Sequence, residues 1–173
     1  MTTVTELFSR DQIARRVGEL AAEIAGALPR EFTVVGVLKG SFVFVADLVR
    51  ALDGAGRAPA VEFIGLESYG DGRESSGAVR TTGAMPKNLE GRAVLLVDDI
   101  ADSGRSLARA RELVIAAGAG RVWTCVITDK PSRRQVPCKL DFVGFQVPDA
   151  FVVGYGLDHA GKYRHLPYIG ILD

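Results

Sequence analysis

The chain has 173 residues, 47% of them hydrophobic and 24% charged, the balance of an ordinary globular protein, and residues 1–173 fit one domain. Lys and Arg together number 21, as do Asp and Glu, so no overall field recruits nucleic acid or an anionic membrane, and any phosphate must be bound locally. The two cysteines, Cys125 and Cys138, lack metal-ligand or CxxC spacing, and neither MTTVTELFSRDQ at the start nor any later apolar run suits export or a bilayer span, which predicts a reducing, cytoplasmic setting.

Ser9 is placed to cap a first helix, in which Ile13, Val17, Leu20, Ile24 and Leu28 recur at helical spacing before Pro29 stops it. Phe32 to Leu38 is a short β-branched run. After Lys39-Gly40-Ser41, the stretch Phe42 to Leu52 reads as a helix broken by Asp53-Gly54, giving strand, glycine turn, helix. Val61 to Leu66 fits a second strand. It is followed by SYGDGRESSGAVR, Ser68 to Arg80, too rich in Gly, Ser and charge to pack a core and therefore expected to be a mobile loop.

Val94 to Val97 is apolar at consecutive positions, as in a strand covered on both faces, and it runs directly into acidic residues and a turn. Ser103 is placed to cap the next helix, which continues through Leu107, Leu113 and Val114 to Gly118; Val122 to Ile127 is the strand after it. This alternation predicts an α/β fold with a central, mostly parallel sheet flanked by helices, whose ligands gather at the carboxyl ends of the strands. Phe142 to Leu172 has short apolar runs and many breakers, so it reads as a small appendage.

The chemistry is concentrated in VLLVDDIADSGRSL, Val94 to Leu107. Adjacent carboxylates at a strand end, Asp98 and Asp99, can accept hydrogen bonds from the vicinal hydroxyls of a ribose. Beyond Asp102, Gly104 permits a close turn, and the N–H groups that open the helix can cradle a phosphate, with Ser103 and Ser106 adding hydroxyls. The acidic doublet alone would better suit a strand terminus; the whole string is far more specific.

That string closely resembles the binding motif for phosphoribosyl pyrophosphate (PRPP) in the type I phosphoribosyltransferases. The stretch DKPSRRQVPCKLDFVGFQVPDAFVVGYGLDHAGKYRHLPYIGIL, Asp129 to Leu172, resembles the purine-binding end of the hypoxanthine-guanine phosphoribosyltransferases. VVGVLKGSFVF at Val34 to Phe44 and the Ser68 to Arg80 segment are similar to that family's pyrophosphate loop and flexible catalytic loop. The resemblance implies the type I fold with a small hood built from the chain ends. It implies transfer of the 5-phosphoribosyl group from PRPP to a 6-oxopurine with Mg2+, by a homodimer or homotetramer.

Position by position, the resemblance puts Asp102 beside purine N7, where it handles the proton. It gives Asp98 and Asp99 the ribose hydroxyls and a nearby Mg2+, and Ser103, Gly104, Arg105 and Ser106 the 5'-phosphate. Lys130 would donate to the 6-oxo group, Phe151 stack on the base, and the Val152 backbone read the ring edge. Asp158 would lie near the purine 2-position and a second Mg2+. Lys39 and Gly40 would offer backbone donors to the pyrophosphate, with the peptide before Lys39 often cis; Arg164 would reach the pyrophosphate, and Ser68 with Tyr69 close over it. His159 and His165 match no functional position and read as surface or packing residues. A PRPP-sensing regulator of the same fold is the competing class, set second because Asp102 is present and no basic excess exists. A dinucleotide-binding oxidoreductase would need a third glycine that the Gly118 and Gly120 pair lacks.

Overall fold

The computed structural model describes residues 3–68 and 79–173. A six-stranded sheet forms the centre, in the order β4 (Val79–Thr82), β3 (Ala60–Ser68), β2 (Thr33–Leu38), β5 (Ala93–Ala101), β6 (Arg121–Asp129) and β7 (Phe142–Gln146). All neighbours are parallel except β3 and β4. The side chains of β5 alternate between two cores, which is why its apolar residues are consecutive. Leu95 and Val97 pack with helices α1 (Arg10–Ala27) and α2 (Phe42–Gly54), whereas Val94 and Leu96 pack with α3 (Arg105–Ala116).

Local signals set the helix ends. Ser9 caps α1 in a reciprocal box, its Oγ accepting from Gln12 N–H at 3.2 Å while its own N–H donates to Gln12 Oε1 at 2.8 Å. Arg16 donates from Nε to Gly144 O at 3.0 Å and from Nη2 to Val143 O at 2.7 Å, fastening α1 to the edge strand β7.

Several boundaries differ from the sequence expectation. Asp98 and Asp99 do not end β5, because pairing of Ile100 with Thr128 and Ala101 with Asp129 carries the strand past them. Ser103 is not the cap of α3: Gly104 is, at φ +87°, and Ser103 Oγ instead accepts from Arg105 N–H at 3.3 Å. The polar Ser68 to Arg80 segment is not loop throughout, since Ser68 pairs with Val79 and Glu67 with Arg80 in a β3–β4 ladder; the rest, 69–78, lies outside the described residues. The Phe142 to Leu172 stretch divides, with β7 joining the main sheet. Its remainder supplies β8 (Val152–Val153) and β9 (Ile169–Leu172) to a second, antiparallel sheet ordered β1 (Val4–Phe8), β9, β8. This is the hood, and Phe8 stacks on Phe145 at 4.1 Å between ring centroids to hold it against β7.

Chain direction positions the site. From β2 the chain crosses through α2 to β3 on one side, and from β5 through α3 to β6 on the other. Connections therefore diverge between β2 and β5, opening a crevice at their carboxyl ends. The sheet that carries it depends on residues such as Leu95, which is fully buried. Leu95→Ala is expected to cost about 2–5 kcal/mol of stability, read as a lower urea midpoint at unchanged m-value.

Candidate active site

A cavity of about 370 Å3 occupies this crevice, and Gly40, Asp98, Asp99, Asp102, Ser103, Gly104, Ser106, Asp158 and Arg164 all line it. Three segments distant in sequence, at Gly40, from Asp98 to Ser106, and from Asp158 to Arg164, thus meet. Their meeting depends on close backbone approach: a Cβ added to Gly40 would lie 1.7 Å from Asp99 Oδ2, and one added to Gly104 2.7 Å from Val136 O. The Leu38–Lys39 peptide is cis. Lys39 itself lines an adjoining cavity of about 570 Å3, shared with Leu38, Leu66 and Arg164.

Asp98 is buried and Asp99 partly so. Asp98 Oδ1 accepts from Asp99 N–H at 2.9 Å, and Asp99 Oδ1 from Ile100 N–H at 2.8 Å. Burial, then the charge of Asp99, push the Asp98 carboxyl well above the usual carboxylate range. Burial also raises Asp99, opposed by hydrogen bonds and by the Arg164 charge. A cation beside the pair would offset both effects. Among the described residues no three His, Cys, Asp or Glu cluster to hold an ion, so a metal here would rest on one or two carboxylates with water and substrate oxygens. That all-oxygen donor set suits Mg2+.

Asp102 follows β5 at the crevice mouth. Its Oδ1 is enclosed yet has no hydrogen-bond partner, and the nearest cation, Arg133 Nε, is 3.7 Å away. Asp158 and Arg164 partner each other, Arg164 Nη2 lying 2.7 Å from Asp158 Oδ1 while Nη1 donates to Gly156 O at 2.6 Å. Asp158 Oδ2 also accepts from Gly161 N–H at 2.7 Å.

The remaining candidates do not line the 370 Å3 cavity. Arg105 opens α3, its Nε buried without a partner. Lys130 directly follows β6; its N–H donates to Ala101 O at 3.0 Å, and its buried side chain donates from Nζ to Ala150 O at 2.8 Å. Phe151 presents a ring that is 54% exposed, with the edge of His159 against it at 4.8 Å between centroids. Val152 is buried in β8, paired with Ile171. Ser68 ends β3, and Tyr69 lies outside the described residues. His159 and His165 are both exposed. Sequence reasoning passed over Arg133 and Arg134, which approach the Asp102 loop; within KPSRRQ no periodicity distinguishes them from solvated charges.

A divergent α/β crevice with an acidic doublet, a third acid and the opening of a helix beyond it has the make-up of a site for a phosphorylated sugar. The model of the phosphoribosyl transferase domain matches residues 3–160, and the chain belongs to the phosphoribosyltransferase family. It is 43% identical over 167 residues to the hypoxanthine-guanine phosphoribosyltransferase of Bacillus subtilis, covering 96% of this chain and 91% of that one. To the hypoxanthine phosphoribosyltransferase of Escherichia coli it is 39% identical over 171 residues, covering 97% and 94%. Among solved structures, the hypoxanthine phosphoribosyl transferase of Trypanosoma cruzi superimposes with a TM-score of 0.90 at 38% identity, covering 98% of this chain and 91% of that one.

The charge on Asp98 has a measurable cost. Its carboxyl holds a proton more tightly folded than unfolded, so the fold gives up stability as pH rises from about 4, the unfolded value, through the folded one, and none below. Asp98→Asn removes the charge and keeps an acceptor for the Asp99 N–H. The variant is expected to melt above wild type at pH 7, by about 2–4 °C for each kcal/mol relieved, with the gap closing towards pH 4. Thermal melts across that range check the sign.

Proposed function

We propose that this chain is a purine salvage enzyme that transfers the 5-phosphoribosyl group of PRPP to hypoxanthine or guanine, giving the nucleoside monophosphate and pyrophosphate. The observation that carries the reading is the convergence of Asp98, Asp99, Asp102 and the opening of α3 in one crevice, with Lys130 hydrogen-bonded to the same loop. All 173 residues act as one unit in this reading.

Asp98 and Asp99 accept from the ribose hydroxyls, and the N–H groups and hydroxyls over Ser103 to Ser106, with Arg105 among them, take the 5'-phosphate. Lys39 and Gly40 offer backbone donors to the pyrophosphate. Arg164 reaches the same group by exchanging Asp158 for it, closed over by Ser68 and Tyr69. Bound Mg2+, held at Asp98 and Asp99 and at Asp158, supplies charge neutralisation for the leaving pyrophosphate. The base is held by stacking on the exposed Phe151 ring, by the backbone of Val152 at the ring edge, and by Asp158 near its 2-position. Its N9 lone pair forms the bond to the anomeric carbon as the bond to pyrophosphate breaks, the electron pair leaving with pyrophosphate. Asp102, whose side chain is part-exposed beside the crevice, takes the proton from N7.

Lys130 sets the choice of base. An ammonium only donates, so it pairs with a 6-oxo group and opposes the 6-amino group of adenine. Mismatches of this kind can discriminate by about 10^4-fold. The two cysteines are free thiols, Cys125 buried, which fits the reducing cytoplasm in which we place the protein, as a homodimer or homotetramer. Among the described residues no helix is long and apolar enough to cross a membrane.

PRPP consumption measured in parallel with hypoxanthine, guanine, xanthine, adenine and uracil tests the reading. Turnover is expected with 6-oxopurines and not with adenine, abolished by chelator and restored by Mg2+. Lys130→Ala should lose kcat/KM for hypoxanthine selectively. Efficient adenine use by wild type, or PRPP binding with no turnover of any base, would defeat the assignment.

A further inference from the structure

Asp102 presents its carboxylate to the crevice with no side-chain hydrogen bond to aim it. Its Oδ1 has no hydrogen-bond partner, only the Arg133 Nε charge at 3.7 Å, and the side chain is 41% exposed. The direction of that carboxylate therefore depends on the backbone torsions at Asp102, which are set by the two peptide planes flanking its Cα. One side chain holds both planes. Arg134 donates from Nε to Asp102 O at 3.2 Å and from Nη2 to Ala101 O at 3.3 Å, so both flanking carbonyls accept from the same rigid fork, Ala101 O also accepting from the Lys130 N–H at 3.0 Å.

The fork is itself fixed on its other sides. Nη2 also pairs with the carboxylate of Asp129, which is buried at the end of β6 directly opposite Ala101. Nη1 donates to Cys138 Sγ at 2.6 Å. The guanidinium is thus tied to the sheet by Asp129 and to the following loop by Cys138, with the Asp102 peptide planes between those anchors. The next turn is backed separately, since Ser103 O accepts from the N–H groups of Gln135 and Val136 at 2.9 and 3.1 Å. The Asp102 carbonyl is thus held by Arg134, whereas the phosphate-cradling turn is held by main chain.

We infer that Arg134 is a positioning residue for the reaction: its guanidinium, anchored by Asp129, fixes the backbone on both sides of Asp102 and so aims the carboxylate at the proton of the bound purine. The inference rests on the role given to Asp102 under the proposed function. Arg134 touches neither base nor PRPP in this account, so its loss acts on turnover and leaves PRPP binding nearly intact. Lysine cannot replace it, because a single ammonium cannot span two carbonyls and a carboxylate.

A double-mutant cycle with Asp102→Asn decides the matter, with folding checked by thermal melts. Arg134→Ala is expected to lower kcat by roughly 10- to 100-fold, as a misplacement of about 1 Å can, with KM for PRPP nearly unchanged. In the Asp102→Asn background the same change should cost no more than about twofold, since nothing remains to be aimed. Arg134→Lys should show the same non-additivity with a smaller loss, and it carries the test should Arg134→Ala not fold. A loss that repeats in full in the Asp102→Asn background, unchanged kcat in both Arg134 variants, or a loss confined to KM for PRPP overturns the inference alone. Wild-type turnover by Asp102→Asn overturns the role of Asp102 first, and the inference with it.

Discussion

Two adjacent carboxylates within one strand, Asp98 buried and Asp99 partly so, are an unfavourable arrangement, and the rest of the crevice is built around it. Asp98 and Asp99 cannot be moved apart, because both belong to the β5 ladder between β2 and β6. Nor are they neutralised by a direct ion pair, since among the described residues none of their carboxylate oxygens lies in a salt bridge. The protein provides partial compensation through the N–H groups of Asp99 and Ile100 and the more distant Arg164 charge. The remainder is a standing preference for whatever brings hydroxyl donors or a cation to that spot.

The positive elements are arranged to match without cancelling the pair. Arg164 is occupied by Asp158 and by the carbonyl of Gly156, which keeps it at the cavity wall. The opening of α3 adds N–H donors on the opposite wall, where the backbone turns sharply at Gly104. Charge is thus divided along the crevice into an acidic floor and two donor-rich ends. That is the complement of a phosphorylated sugar carrying hydroxyls in its middle and phosphate at both extremities.

How much of this the sequence shows depends on whether the governing forces are local. Consecutive apolar residues over Val94 to Val97 reveal a strand buried on both faces, and the Ser9 and Gln12 box reveals the start of α1, because both are encoded within a few residues. The true end of β5 is hidden, since it is set by pairing with Thr128 and Asp129 on another strand. β1 is hidden for the same reason: Val4 pairs with Leu172, and no short window contains both. Ser103 had the right chemistry for a cap, but the tight approach to Val136 requires the positive φ of Gly104 one position later. Candidate site residues could be named because they resemble a known pattern; the task of Arg134 is defined by carbonyls more than thirty positions away, which no local pattern records.

Gly40 faces Asp99 on one side. On the other it faces Gly156, where an added Cβ would come within 2.2 Å of the Gly40 carbonyl oxygen. Gly40 is therefore enclosed between the Asp99 carboxylate and the Gly156 main chain, with no volume for a side chain at Gly40 or Gly156. A side chain at Gly156 would first have to force two backbone segments apart, and one at Gly40 would have to displace the Asp99 carboxylate. Substitution is less constrained at the rim, where Phe151 and His159 stand exposed with their rings edge to face.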